Sequence, residues 1–119
     1  MHNFKELKIW NKSIDITVDM YKETSSFPSE EKFNLISQMR RSAVSIPSNI
    51  AEGAGRNSDK EFNQFLGIAK GSSFELQTQM IISNRLKFIS DDKFEVMNNS
   101  IEEVQKMITG FQSKLKSSY

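Results

Sequence analysis

Cysteine is absent from this chain of 119 residues. That excludes disulfides, thiolate metal sites and cysteine nucleophiles, and it fits a reducing compartment. Histidine occurs once, as His2, and one histidine cannot supply the paired Glu-x-x-His ligands of a helical-bundle di-metal site. An excess of one charge is missing too. The 16 basic and 15 acidic side chains leave a net +1, with eight basic and seven acidic groups in residues 1–57 and eight of each in residues 58–119. Without a cationic half or tail, electrostatics gives little support for tight nucleic-acid binding. No apolar run approaches the roughly twenty residues of a membrane span, and the segment Met1 to Lys8 lacks the apolar stretch of a signal peptide. The expectation is a cytoplasmic protein with no membrane partner. Strand patterns, linkers and internal repeats are also lacking, so residues 1–119 read as a single all-α domain.

What the chain does have is helical periodicity. From Phe4 or Lys5 to Glu23, the residues Leu7, Trp10, Ile14, Val18 and Tyr21 recur on one face, broadened by Ile9, Ile16 and Met20. The run Thr24-Ser25-Ser26-Phe27-Pro28 ends that helix. A second helix is expected from Pro28 or Ser29 to about Gly53, with Ser29 as N-cap and Glu30 and Glu31 in its first turn. Its seam is Ile36, Met39, Ala43, Ile46, Ile50 and Gly53. The seam keeps phase across Pro47, which predicts one helix kinked near Pro47. Gly53, Ala54 and Gly55 then end it through a left-handed C-cap.

The third helix opens on a capping box, Ser58-Asp59-Lys60-Glu61. It carries Phe62, Leu66, Ala69, Ser73, Leu76, Met80 and Ser83 toward an end near Lys87 or Phe88. Gly67 and Gly71 share one side and would permit close approach of another helix. The fourth follows Ser90-Asp91-Asp92, with Phe94, Met97, Ile101, Val104, Ile108, Phe111 and Leu115 in heptad spacing. Short connections make neighbouring helices antiparallel, so the expected fold is an up-and-down four-helix bundle. Apolar residues exceed what these seams need: Ile9, Ile16, Phe65, Ile68, Phe74, Ile81, Ile82 and Phe88 lie beside or off them. Some of this surplus should cover a second interface, which predicts a homo-oligomer.

Little in the sequence points to catalysis. The pairs Glu30-Glu31, Asp91-Asp92 and Glu102-Glu103 are adjacent, so their side chains diverge on a helix. Ser-x-x-Lys matches such as those at Ser90 and Ser113 lack the other elements of a serine–lysine hydrolase. Gly53-Ala54-Gly55-Arg56 follows a helix and lacks the Gly-Lys-Ser/Thr ending of a phosphate loop. The reading is therefore a non-enzyme, with no catalytic, cofactor or metal residues and no small-molecule substrate. The candidate surface is the polar flank of the second helix: Arg40, Arg41, Ser45, Ser48, Asn49, Glu52 and Arg56. At about 100° per residue, Arg41, Ser45, Ser48 and Glu52 fall opposite the seam, with Arg56 on the side of Arg41 and Arg40 turned away. One reading is contact with RNA or DNA phosphate or an acidic partner. The other is ion pairing with Glu52 or Glu75, within the bundle or between subunits; Asn49 and Glu52 look like hydrogen-bonding partners, and a buried polar set of this kind would fix register between helices or subunits. The charge balance favours the second.

Three segments carry a resemblance. Phe4-x-x-Leu7-x-Ile9-Trp10 opens the chain; Gln38-x-x-Arg41-Ser42-Ala43-x-Ser45-Ile46-Pro47-Ser48-Asn49-Ile50-Ala51-Glu52-Gly53 follows; Phe62-x-x-Phe65-Leu66-x-Ile68-Ala69-x-Gly71-Ser72-x-x-Glu75-Leu76 completes the pattern. Over nearly its whole length the chain resembles a bacterial family of four-helix-bundle proteins, also called ribosomal-RNA intervening-sequence proteins. The resemblance implies an up-and-down bundle and assembly into a ring-shaped homopentamer, as in the related accessory protein of diversity-generating retroelements. That relative is strongly basic and binds nucleic acid and a reverse transcriptase. The present chain departs from it in being nearly neutral. No enzymatic activity is implied.

Overall fold

In the computed structural model, which describes residues 1–119, helical periodicity becomes four α-helices and no strand. They are α1 (Lys8–Thr24), α2 (Leu35–Ala54), α3 (Asp59–Arg85) and α4 (Asp91–Lys116), with short 3-10 turns at Phe4–Glu6 and Ser29–Glu31. Each helix packs on the next and α4 returns to α1, closing an antiparallel up-and-down bundle of 46 × 24 × 20 Å. No helix is long and apolar enough to cross a membrane.

The seams of α2 and α3 are the ones expected. Ile36, Met39, Ala43, Ile46, Ile50 and Gly53 are buried, as are Phe62, Leu66, Ala69, Ser73, Leu76, Met80 and Ser83. These two helices make the most extensive contact in the bundle. Gly53 explains how close they come: a Cβ there would lie 2.7 Å from Phe65 Cβ and 2.8 Å from Phe62 Cδ1. Hydrogen is the largest substituent this crossing accepts.

Pro47 lies buried inside α2, and the helix continues past it. Proline has no N–H to offer the carbonyl four residues back, here Ala43. The Thr17 hydroxyl of α1 takes over that task, 3.0 Å from Ala43 O and 2.8 Å from Ser13 O in its own helix. A single proton thus serves two carbonyls, and the gap opened by Pro47 becomes an α1–α2 contact.

Four local expectations are corrected. The core stripe of α1 is Ile9, Ser13, Ile16, Met20 and Thr24, whereas Val18 and Tyr21 are exposed. Two hydroxyl residues sit in that stripe because each bonds back to its own helix, Ser13 Oγ to Trp10 O at 2.8 Å and Thr24 Oγ1 to Met20 O at 2.7 Å. Ser29 does not cap α2. Ser29–Glu31 form a separate turn, and α2 starts six residues later than Ser29, after an Asn34 whose φ of −115° and ψ of −103° break the helix. Gly55 ends α2 in right-handed geometry, φ −84°.

The left-handed cap falls instead at Lys87, φ 65°, just beyond α3. There Phe88 N donates to Ser83 O and Lys87 N to Asn84 O, both at 2.9 Å, the reciprocal pair that closes a Schellman end. Finally, Gly67 and Gly71 receive no helix within the bundle. Nothing lies within 4 Å of a Cβ built at Gly71, and at Gly67 a single Gln112 side-chain nitrogen is 3.8 Å away. The starts of α3 and α4 are as expected, with Ser58 Oγ accepting from Glu61 N at 3.2 Å and Ser90 Oγ from Lys93 N at 3.3 Å.

Candidate functional site

The seven residues of the polar flank do not form one surface; packing divides six of them into three groups and leaves Arg41 apart. Arg40 turns toward α1. Its Nε donates to Thr24 Oγ1 at 2.9 Å, an Nη donates to Tyr21 O at 3.2 Å, and its guanidinium lies 4.6 Å from the centroid of the Tyr21 ring. A cation at the carbonyl end of a helix is favourable, so Arg40 fastens α2 to the last turn of α1.

Ser45 and Asn49 form the second group. Asn49 Nδ2 donates to Ser45 O at 2.8 Å and to Ser45 Oγ at 3.0 Å, and Ser45 Oγ meets Ser72 Oγ of α3 at 2.8 Å. Ser45 and Ser72 thus join α2 to α3 through one hydroxyl contact, while the Asn49 bonds stay within α2. Ser48 is exposed beside them.

Glu52 and Arg56 form the third. They pair at 3.4 Å, one turn apart, and both are substantially open to solvent. The Arg56 guanidinium also lies 4.6 Å from the Phe65 centroid, and its Nε is buried without a partner. Ion pairing of an arginine with Glu52 is therefore the observed geometry, and at this exposure such a pair contributes about 0–1 kcal/mol.

Arg41 remains. It is exposed, and no ion pair or hydrogen bond holds its guanidinium. It does not approach Glu75 to ion-pair distance, although both line an open polar groove between α2 and α3 with Ser42, Ser45, Ser72 and Gln79. That groove has a volume of about 300 Å³ and no hydrophobic lining residue. The Gln79 side-chain oxygen is buried there without a partner. On its other side Arg41 borders a second cleft with Lys32, Phe33 and Tyr21.

Sequence reasoning missed Phe33 altogether, because the expected early start of α2 placed it inside a helix. It projects from the turn before α2 and is 85% exposed. The apolar surplus divides as well. Ile9 and Ile16 are core, Phe65 and Phe88 are half-buried, and Ile68, Phe74, Ile81 and Ile82 stay exposed along the outer side of α3. The signal was the mismatch between these four and the seam of the same helix.

The chain ends meet at the start of α3. Asp59 accepts a hydrogen bond from Ser118 Oγ at 2.6 Å and lies 3.3 Å from His2 Nε2. These two contacts, that from Ser118 first, hold its carboxyl below the usual carboxylate range. The His2 ring packs at 4.9 Å from Phe62 and 6.0 Å from Phe111, between α3 and α4. No group of three or more His, Asp or Glu side chains is arranged to hold a metal ion.

Against this geometry, a family model described as 23S rRNA-intervening sequence protein matches residues 5–110. Among solved structures, the chain is similar to a protein of unknown function from the S23 ribosomal protein family of Bacteroides thetaiotaomicron VPI-5482. The two are 25% identical, the match covers 87% of this chain and 97% of that one, and the TM-score is 0.79. None of the curated proteins matches.

Proposed function

We propose a function from one premise: the chain belongs to the 23S rRNA-intervening sequence protein family. It is a non-enzymatic helical scaffold that acts by associating with copies of itself, as a ring-shaped homopentamer. The observation that carries self-association is the outer side of α3. Ile68 is 52% exposed, Phe74 48%, Ile82 45% and Ile81 38%, on one helix and beside the open Gly71. Burying such side chains against another copy is favourable by about 25 cal/mol per Å² of apolar area, and a glycine in that stripe lets a second helix come near. The ring size rests on the resemblance to pentameric relatives.

Sedimentation velocity across micromolar concentrations tests this. The expected result is a pentamer that Phe74→Glu combined with Ile82→Glu converts to a monomer of unchanged helicity. A wild-type monomer at every concentration would overturn self-association, and a stable dimer would overturn the ring.

A second reading, a nucleic-acid-binding accessory role, is favoured by Arg41, an exposed cation that no carboxylate of the chain neutralises. A ring would present it in several copies, so weak contacts add as avidity. Absence of any low-salt gel shift with structured RNA would remove this reading.

A further inference from the structure

We infer that the cleft between the end of α1 and the start of α2 is a binding site for an unpaired stretch of nucleic acid, with a base stacked on Phe33 and phosphates held by Lys32 and Arg41. The inference rests on the second reading above and deepens it by naming the site and the state of the strand.

The cleft has a volume of about 490 Å³, and no carboxylate lines it. Its wall is aromatic and apolar, from Tyr21, Phe33 and Val44, and its cations are Lys32, Arg40 and Arg41. Arg40 is committed to Tyr21 and Thr24, which fixes one wall. Lys32 and Arg41 have no ion-pair partner. Phe33 contributes nothing to the core, yet it presents an aromatic ring at 85% exposure with the Lys32 ammonium 5.5 Å from its centroid. Uncompensated cations select an anionic occupant. An open ring beside them selects one with a flat π-face, which a base offers only when it is unpaired.

Fluorescence anisotropy with a short labelled single-stranded RNA of mixed sequence tests this, with the matching duplex as comparison. Wild type should bind the single strand better than the duplex. Its log–log salt slope should be about −1.4, the value for two phosphates neutralised on a single strand. Phe33→Ala should weaken binding about five-fold or more, and Lys32→Ala with Arg41→Ala should flatten the slope. Thermal denaturation should show both variants folded, since neither touches the core. If Arg41→Ala weakens binding and Phe33→Ala does not, or if the duplex binds as well as the single strand, this inference fails and the second reading stands. If neither RNA binds at low salt, both fail. If Phe33→Ala changes the sedimentation of the protein without RNA, the cleft is a contact between copies and the inference is wrong.

Discussion

Both long sides of α3 carry large apolar side chains, and only one of them is covered. On the inner side Phe62, Leu66, Ala69, Leu76 and Met80 are excluded from solvent, and Gly53 of α2 lets that side close to contact. On the outer side Ile68, Phe74, Ile81 and Ile82 face outward, and Gly71 has no neighbour. The same residue type therefore means different things. Gly53 is required by a partner that is present, whereas Gly71 costs the isolated helix about 1 kcal/mol relative to alanine with no contact in return. On the self-association proposed above, a second copy of the chain would cover the bare side.

This contrast breaks or sharpens in four experiments. The largest effect is expected from truncating the covered side. Leu76→Ala should destabilise by about 2–5 kcal/mol in urea unfolding, whereas Ile82→Ala should stay within about 0.5 kcal/mol under conditions where the protein is monomeric; equal costs would erase the distinction. Next, Gly53→Ala should cost about 1–3 kcal/mol through overpacking against Phe62 and Phe65, seen as a lowered Tm. Smaller and opposite in sign, Gly71→Ala should stabilise the protomer by up to about 1 kcal/mol while weakening self-association in sedimentation; stabilisation with undiminished association would show that no second helix packs there.

The smallest effect concerns the N-terminus of α3. The native pKa of Asp59 is lowered by Ser118 and His2, so this carboxylate adds stability above the ordinary carboxylate range. That contribution is lost as pH falls through the lowered native value. Asp59→Asn should therefore reduce Tm slightly at pH 7, and the difference from wild type should vanish well below about pH 4. A gap that persists in acid would assign the effect to hydrogen-bond geometry alone.

Most of the fold was legible in the sequence, because in three of its four seams the apolar residues recur often enough to fix the helical phase. The seam of α3 was read correctly down to Ser73 and Ser83, and that of α2 across Pro47. The stripe of α1 was misplaced because Ser13 and Thr24 look polar on paper, and the bonds that satisfy them exist only once the helix has formed. The candidate site was less legible. Helical phase turned Arg40 away from Arg41, but it could not show that Tyr21 and Thr24 would capture one and leave the other free. Phe33 was invisible for a related reason. Its exposure follows from the break at Asn34, and Glu30 and Glu31 resemble a helix start closely enough to hide that break.

The Thr17 hydroxyl reaching Ala43 across the groove has a consequence for the order in which the molecule loosens. A helix without proline keeps its own ladder when a neighbour drifts off; α2 does not, because one rung near its middle belongs to α1. Fraying of the first helix should therefore spread into the interior turn of the second before its ends open. Slow amide exchange around residues 43–51 would then report on the docking of α1, not on the intrinsic strength of α2.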